Sequence, residues 1–582
     1  MPHRNSTLQD MTDVADAAHA TKNVGFFAHI FYCASCDTPI ITSDEQKDGI
    51  SGKGVCPLCG SKTDYLSTDL RPVFPQERLL LELLLNKKPF SFASTSVWCY
   101  NSRYFIGGKG KSISAKTFLE ANTEELAQKL YVYKEENEGP YITNLFNASV
   151  ERFIKANRFR LNLQIEEAHN FIKAEAEKFP LENIVLSFSG GKDSSVTVDI
   201  VTKALQNPSL VHIFGDTTLE FPMTIDYVNR FKKEHPYAIF ETAINEEQDF
   251  LKVCDDIGPP ARMMRWCCSM FKTGPITRTL NSLYRNQKVL TFYGIRHSES
   301  VSRSKYNRVE DDKEQVKIQK QTVASPIIHW KDIDVWAYLL GEKVDFNDAY
   351  RVGYDRVGCW CCPNNNQRAL FLSRIYMSKE SARWRNFLIE FAKKIGKPDA
   401  AVYVDSGAWK ARQGGNGLSA AGDVKIKFTN CTAEEHAKNY ALKFPYNDEL
   451  INLFIPFGKI NYELGSKLLN EVLVLHPTTN VPIISLQPFS VDEFENAIKI
   501  KTMNVADHEA LQRQISYQVR KFNACRKCLK CESVCTVGAI KIDSRGYYID
   551  AEKCVHCKMC VNQAVLTSGC LMAKYLRTKS GV

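Results

Sequence analysis

The chain is 582 residues long, 44% apolar and 24% charged, with 20 cysteines and a formal net charge of +9. That balance is typical of a soluble globular protein of about three to five domains. No stretch is long and apolar enough to span a bilayer, which excludes a helical membrane protein. The modest positive excess permits an anionic partner such as nucleic acid without requiring one.

Residues 1–24 form a polar tail of mixed charge without the apolar core of a secretion signal, so a cytoplasmic location is expected. In that setting tight C-x-x-C pairs point to metal ligation rather than to disulfides. The first two pairs, Cys33 with Cys36 and Cys56 with Cys59, fit a four-cysteine zinc ribbon over residues 25–70. With four thiolates closing the tetrahedron, this zinc is expected to be structural, in a folding staple or a recognition module. Residues 71–160 carry no chemical motif and read as a small adaptor domain. Within it, Glu77 to Leu85 has a helical pattern, and Val97 to Ile106 reads as a strand ending at the turn Gly107-Gly108.

Over residues 161–398 helical and strand-like segments alternate. Strands are predicted from 184 to 187, 210 to 214, 239 to 242 and 289 to 293, and helices from 162 to 179, 196 to 205 and 223 to 234. Such alternation predicts a mainly parallel sheet covered by helices, with ligands at the carboxyl ends of the strands. At the first such end stands Ser187-Phe188-Ser189-Gly190-Gly191-Lys192-Asp193-Ser194-Ser195, opening a helix. Two adjacent glycines let backbone amides face an anion, and the helix N-terminus behind them adds positive dipole. Lys192 supplies charge; Ser189, Ser194 and Ser195 supply hydroxyls. This is a phosphate cradle without Walker A spacing.

The loop resembles the S-G-G-x-D-S pyrophosphate (PP) loop of the ATP pyrophosphatase and sulfonucleotide-reductase superfamily. Residues 161 to about 400 resemble the phosphoadenosine phosphosulfate (PAPS) reductase family more widely. The matching blocks are Asp216-Thr217-Thr218-Leu219-Glu220-Phe221-Pro222, Arg265-Trp266-Cys267-Cys268 with Lys272, and Gly294-Ile295-Arg296-His297-Ser298-Glu299-Ser300 with Arg303. Asp334-Val335-Trp336, Gly358-Cys359 and Cys362-Pro363 follow. The resemblance implies an α/β fold with a Rossmann-like parallel sheet of the adenine nucleotide alpha hydrolase type. It also implies an adenine nucleotide ligand: ATP, adenylylsulfate (APS) or PAPS. Lys192, Asp193, Asp216, Lys272 and Arg296 become candidate catalytic residues. Ser189, Gly190, Gly191, Lys192, Ser194, Ser195 and Arg303 become candidate nucleotide-binding residues. Lys192, Lys272, Arg296 and Arg303 are cations suited to phosphate or sulfate, and Asp193 and Asp216 are suited to orienting the loop or carrying magnesium. Cys267, Cys268, Cys359 and Cys362 resemble the split ligands of the cluster in APS reductases, implying a 4Fe–4S cluster. Zinc on the same four stays open, because sulfur ligation alone does not choose between them. Cys361 is a spare thiol beside them.

Residues 399–520 read as a connecting region with mixed helices. In it, Trp409-Lys410-Ala411-Arg412-Gln413-Gly414-Gly415 suits either a nucleotide or nucleic-acid contact or a plain surface loop. Residues 521–575 hold Cys525, Cys528, Cys531 and Cys535, then Cys554, Cys557, Cys560 and Cys570, around a predicted hairpin that turns at Ser544-Arg545-Gly546. This resembles an α+β ferredoxin domain with two 4Fe–4S clusters, in which the fourth cysteine of each run ligates the other cluster. The implied sets are Cys525, Cys528, Cys531 and Cys570, and Cys554, Cys557, Cys560 and Cys535. Thr536 replaces the usual proline, and Cys570 lies further along than the usual x-x-x spacing.

A nucleotide cradle beside electron-carrying modules implies reductive sulfur chemistry of the APS/PAPS reductase kind, fed by an electron donor. That family attacks sulfur with a cysteine in a Glu-Cys-Gly-x-His segment. None occurs here; the corresponding end reads Ser568-Gly569-Cys570-Leu571-Met572. A second reading is ATP-dependent adenylation for sulfur insertion into nucleic acid or a small molecule. A third is a non-enzymatic electron-transfer or nucleic-acid-binding subunit, against which the intact S-G-G-K-D-S argues.

Overall fold

The computed structural model describes residues 28–43, 54–284, 287–311, 321–491, 493–562 and 566–578. The polar tail at 1–24 and ribbon residues 25–27 and 44–53 lie outside the described residues.

The chain is mixed α/β. Its central sheet runs in the order Ile239–Ile244, Val211–Asp216, Ile184–Phe188, Val289–Phe292, Gln321–Ala324, Val309–Glu310. Every adjacent pair is parallel except the last. Ile184, Leu186 and Phe188 enter one core with Leu290 and Phe292, while Val185 enters a second with Leu280, Tyr284 and Val289. The period of two therefore buries both faces, as parallel strands require. The chain steps outward on one side of Ile184–Phe188 and then crosses to the other side for Val289–Phe292. The crevice outside their carboxyl ends is the place where doubly wound sheets take ligands.

The predicted strands of this domain and its helices at 196–205 and 223–234 occur within a few residues of their expected positions. Elsewhere the structure differs. The strand expected over 97 to 106 is a hairpin, Val97–Tyr100 against Arg103–Ile106, because Asn101 adopts φ 55° and reverses the chain. Helix Pro140–Ala176 runs for 37 residues through the boundary drawn at 160. It therefore serves both regions: Phe146 and Phe153 pack under the adaptor, and Leu161, Ala168 and Ile172 pack on the sheet. On this helix Asn157 donates to Pro39 O at 3.0 Å and accepts from Ile41 N at 2.8 Å, pinning the ribbon strand Thr38–Ser43.

The connecting region contains a six-stranded antiparallel sheet that its reading as mixed helices missed. Its strand Phe494–Thr502 buries Ile498 and Ile500 and leaves Lys499 and Lys501 to pair with Glu434, a period-two signal visible in the sequence. Helix His508–Ala524 packs on it through Leu511, Ile515 and Val519. The turn at 409–415 is anchored to the protein interior rather than forming a plain surface loop. Trp409 and Lys410 are buried, Lys410 Nζ donates to Asn365 O at 2.7 Å, and Arg412 donates to the carbonyls of Ile257, Pro259 and Gly414. Among the described residues no helix is long and apolar enough to cross a membrane.

A buried ion cluster ties the adaptor to the segment after the central cysteines. Arg71 forks onto Glu77 at 2.6 and 2.8 Å, Arg368 closes on the same carboxylate, and Tyr104 donates to it at 2.9 Å. Burial alone would raise the Glu77 carboxyl; Arg71 and Arg368 outweigh it and hold it at about 2.

Candidate functional site

The phosphate loop leaves the sheet at Phe188, and its helix begins at Lys192. Gly190 has φ 67°, and a Cβ there would lie 2.8 Å from the Thr224 methyl, so both backbone and space demand glycine. Ser194 Oγ accepts from Ser189 N at 3.1 Å and donates to Gly191 O at 2.8 Å. Ser195 Oγ also donates to Gly191 O and shares a 2.8 Å bond with Tyr227 OH. These two hydroxyls thus stitch the loop, while Ser189 stays exposed. Two partners escaped sequence reasoning. Asn347 donates to Gly190 O at 3.0 Å, and Tyr350 OH accepts from Lys192 N at 3.0 Å. Neither belongs to a motif, and each lies more than 150 positions away.

Beneath the loop, Lys192 Nζ meets Asp193 at 2.9 Å and Asp332 at 3.1 Å. Arg296 meets the same two carboxylates at 2.6 and 2.7 Å. The Lys192 and Arg296 side chains are only 4% and 3% exposed, each held between the same two carboxylates. Here they order the loop. Burial opposes ionisation of Asp193, but Arg296 and Lys192 outweigh it and hold that carboxyl at about 2. Asp69 accepts from Asp332 N and Ile333 N at 3.0 and 3.1 Å, and burial together with Asp332 pushes its carboxyl up to about 6. Arg303 pairs with Glu299, which also accepts from Arg296 N. Gly294 approaches so closely that a Cβ would lie 2.5 Å from Asp193 O. Gly294→Ala is therefore expected to displace the loop and lower nucleotide affinity at least tenfold, as read by calorimetric titration.

At the end of the neighbouring strand, Asp216 is half-buried and accepts from Thr218 N at 2.7 Å. Thr217 Oγ1 donates to Glu220 at 2.9 Å and lies 3.4 Å from Cys359 Sγ, and Trp360 N donates to Leu219 O. The strand end beside the loop is thus sewn to the central cysteines. Cys267 and Cys268 stand at the start of a helix that passes through the π-helical turn Ser269–Thr273, a rare distortion frequent at functional sites. The Cys267 contact, then Arg265 and Lys272, hold the Cys268 thiol below its ordinary range despite burial. Burial and Glu220 push Cys359 up to about 12. Lys272 and Arg265 are exposed cations on this rim.

Cys33, Cys36, Cys56 and Cys59 bring their sulfurs within 4.8 Å of one another, with Cys33 to Cys59 at 3.6 Å and Cys36 to Cys56 at 3.8 Å. A Zn–S bond of about 2.3 Å in a tetrahedron sets sulfurs about 3.8 Å apart, so this group fits a single metal ion. Among the described residues no other set of three or more candidate ligands closes so tightly. The remaining cysteines still gather. Cys525, Cys528, Cys531 and Cys570 are electrostatic neighbours, as are Cys535, Cys554, Cys557 and Cys560. Cys570 is buried in the same neighbourhood as Cys525, Cys528 and Cys531. Hairpin Ile540–Asp543 with Gly546–Ile549 lies between the two cysteine runs. One core holds Cys361 and Cys570, with Cys267, Cys359 and Cys528 packed against it, and Tyr575 lies near Cys267, Cys268 and Cys528. Arg278 forks onto Glu532 at 2.8 Å across this junction.

A family model of the phosphoadenosine phosphosulfate reductase domain matches residues 183–365. An uncharacterised protein of Methanocaldococcus jannaschii is 31% identical over 302 residues, covering 52% of this chain and 58% of that protein. The chain thus spans little more than half the length of this curated relative. An adenosine 5'-phosphosulfate reductase of Staphylococcus epidermidis is 24% identical over 238 residues, 40% of this chain and 87% of that protein. The crystal structure of a PAPS reductase from Candida auris in a phosphate complex aligns with a TM-score of 0.27 and 18% identity, over 36% of this chain and 96% of that one. The family and sequence matches support the PAPS-reductase family for the sheet domain.

Proposed function

We propose that this chain binds an adenine nucleotide at the Ser189–Ser195 loop and reduces a sulfur group carried on it, as APS and PAPS reductases do. The observation that carries this reading is the continuity of the site. The loop, the Thr217–Cys359 contact and a core shared by Cys267, Cys359, Cys528 and Cys570 form one connected body. Backbone amides of Gly190 and Gly191 and the N-terminus of helix Lys192–Leu205 receive the phosphates. The Lys192–Asp193–Arg296–Asp332 network holds that cradle, Asp216 is free to carry magnesium, and Lys272 and Arg265 face the sulfate end. Cys267, Cys268, Cys359 and Cys362 would hold one 4Fe–4S cluster and the two C-terminal sets two more, supplying single electrons drawn from an external donor. Two electrons break the sulfur–oxygen bond of APS, and the products are sulfite and AMP. Zinc is assigned to Cys33, Cys36, Cys56 and Cys59, and Cys56→Ser is expected to release one zinc per chain by metal analysis.

Cys570 is 5% exposed among its companion cysteines, so the tail thiol used by the family is not free to attack. This favours a second reading, ATP-dependent adenylation followed by sulfur insertion. Anaerobic incubation of the reduced protein with APS, PAPS and ATP separates the two. Sulfite from a sulfonucleotide supports reduction; pyrophosphate from ATP without sulfite overturns it in favour of adenylation. Neither product leaves an electron-transfer subunit.

A further inference from the structure

Helix His508–Ala524 delivers the chain to Cys525, and one turn before its end it carries Lys521. This lysine is 1% exposed. Its Nζ donates to Cys560 O at 2.7 Å and lies 5.4 Å from the centre of the buried Tyr547 ring. Among the described residues no carboxylate pairs with it. Cysteines of both runs stand around it, Cys525, Cys531 and Cys570 from one set and Cys560 from the other.

A buried ammonium without a counter-charge is costly, so a lysine persists in such a place only where something nearby is negative. Neutral thiols do not meet that need. Cysteines that ligate a metal are deprotonated, and the occupied sets then supply it. Each electron taken up adds a further negative charge at a distance the low-dielectric interior screens weakly. A fixed cation between the sets favours that extra charge on both sides.

We propose that Lys521 is a counter-charge shared by the two C-terminal metal centres that raises the reduction potential of both. It acts as a positioning residue: it touches neither nucleotide nor sulfur substrate, and it works through the ligand sets. The inference rests on the iron–sulfur reading above.

The test uses the full chain, reconstituted anaerobically with iron and sulfide. Iron content is measured, and potentials are read from a dithionite titration followed by electron paramagnetic resonance. K521M removes the charge at similar length; K521R keeps it. K521M with wild-type iron is expected to shift reduction of these centres about tenfold, roughly 59 mV downward for a one-electron couple. K521R should stay near wild type. If K521M loses iron while K521R keeps it, the charge serves assembly rather than the potential, and the proposal is overturned. Unshifted potentials in iron-replete K521M overturn it, as does equal iron loss in both variants, which would mark a packing role. A wild-type chain that takes up no iron fails the iron–sulfur reading itself, and the role of Lys521 falls with it.

Discussion

Arg296→Ala is expected to lower folding stability by roughly 3–5 kcal/mol and to abolish nucleotide binding at the loop, because it breaks a buried ion network from one side. The guanidinium forks between Asp193 and Asp332 and also donates to Ser298 Oγ at 2.9 Å. Without it, Lys192 alone faces two half-buried carboxylates, and Asp193 lies in the first turn of the loop helix. Arg296→Lys should not rescue, since one ammonium does not span both acceptors as a planar fork does. Denaturant unfolding and calorimetric titration with ATP, APS and PAPS measure the two effects separately. Wild-type affinity in a destabilised variant would show that the loop holds its shape without this network.

Glu77→Ala should be as costly, at roughly 3–5 kcal/mol, for the opposite sign of charge. Glu77 is 1% exposed, and its removal leaves Arg71 and Arg368 facing each other in the interior with only Asp355 nearby. Arg368 begins helix Gln367–Tyr376, which follows the loop of Cys359 and Cys362, so reduced metal content at the central cysteines is expected alongside the stability loss. The same carboxylate governs acid sensitivity. Its folded value of about 2 lies below the ordinary 4.5, so its contribution is complete above about pH 4.5 and disappears as pH falls through 2. Asp193, also held at about 2, acts in the same direction below its ordinary 3.8. Unfolding by urea at pH 3 and pH 6 should therefore show a smaller pH difference in Glu77→Gln than in the wild type. An equal difference would assign the acid lability to other carboxylates.

Much of the site was legible because its chemistry is local. Ser189 to Ser195 carries its own turn residues, hydroxyls and helix start within seven positions, and the C-x-x-C pairs carry their ligand spacing. The short apolar runs at 184, 211 and 289, set between helical segments, announce buried strands in the same way. The connecting sheet was equally available in the alternation of Ile498, Lys499, Ile500 and Lys501, yet short strands between short helices gave a weaker pattern than one loop with a motif.

The amino-acid order by itself determined the phosphate cradle, the cysteine groupings and the strand–helix alternation, since each depends on neighbours a few bonds away. Only the tertiary structure decided what the charges do. Arg296 reaches Asp193 across 103 positions and Asp69 accepts from Ile333 N across 264, pairings that no local motif announces. The same holds for Lys521, whose meaning depends on sulfurs from two separate cysteine runs meeting around it. Packing also brought Cys267 and Cys528 against one core. Desolvation and Coulomb pairing act between groups that share space, and the order of residues along a chain does not state which groups those are.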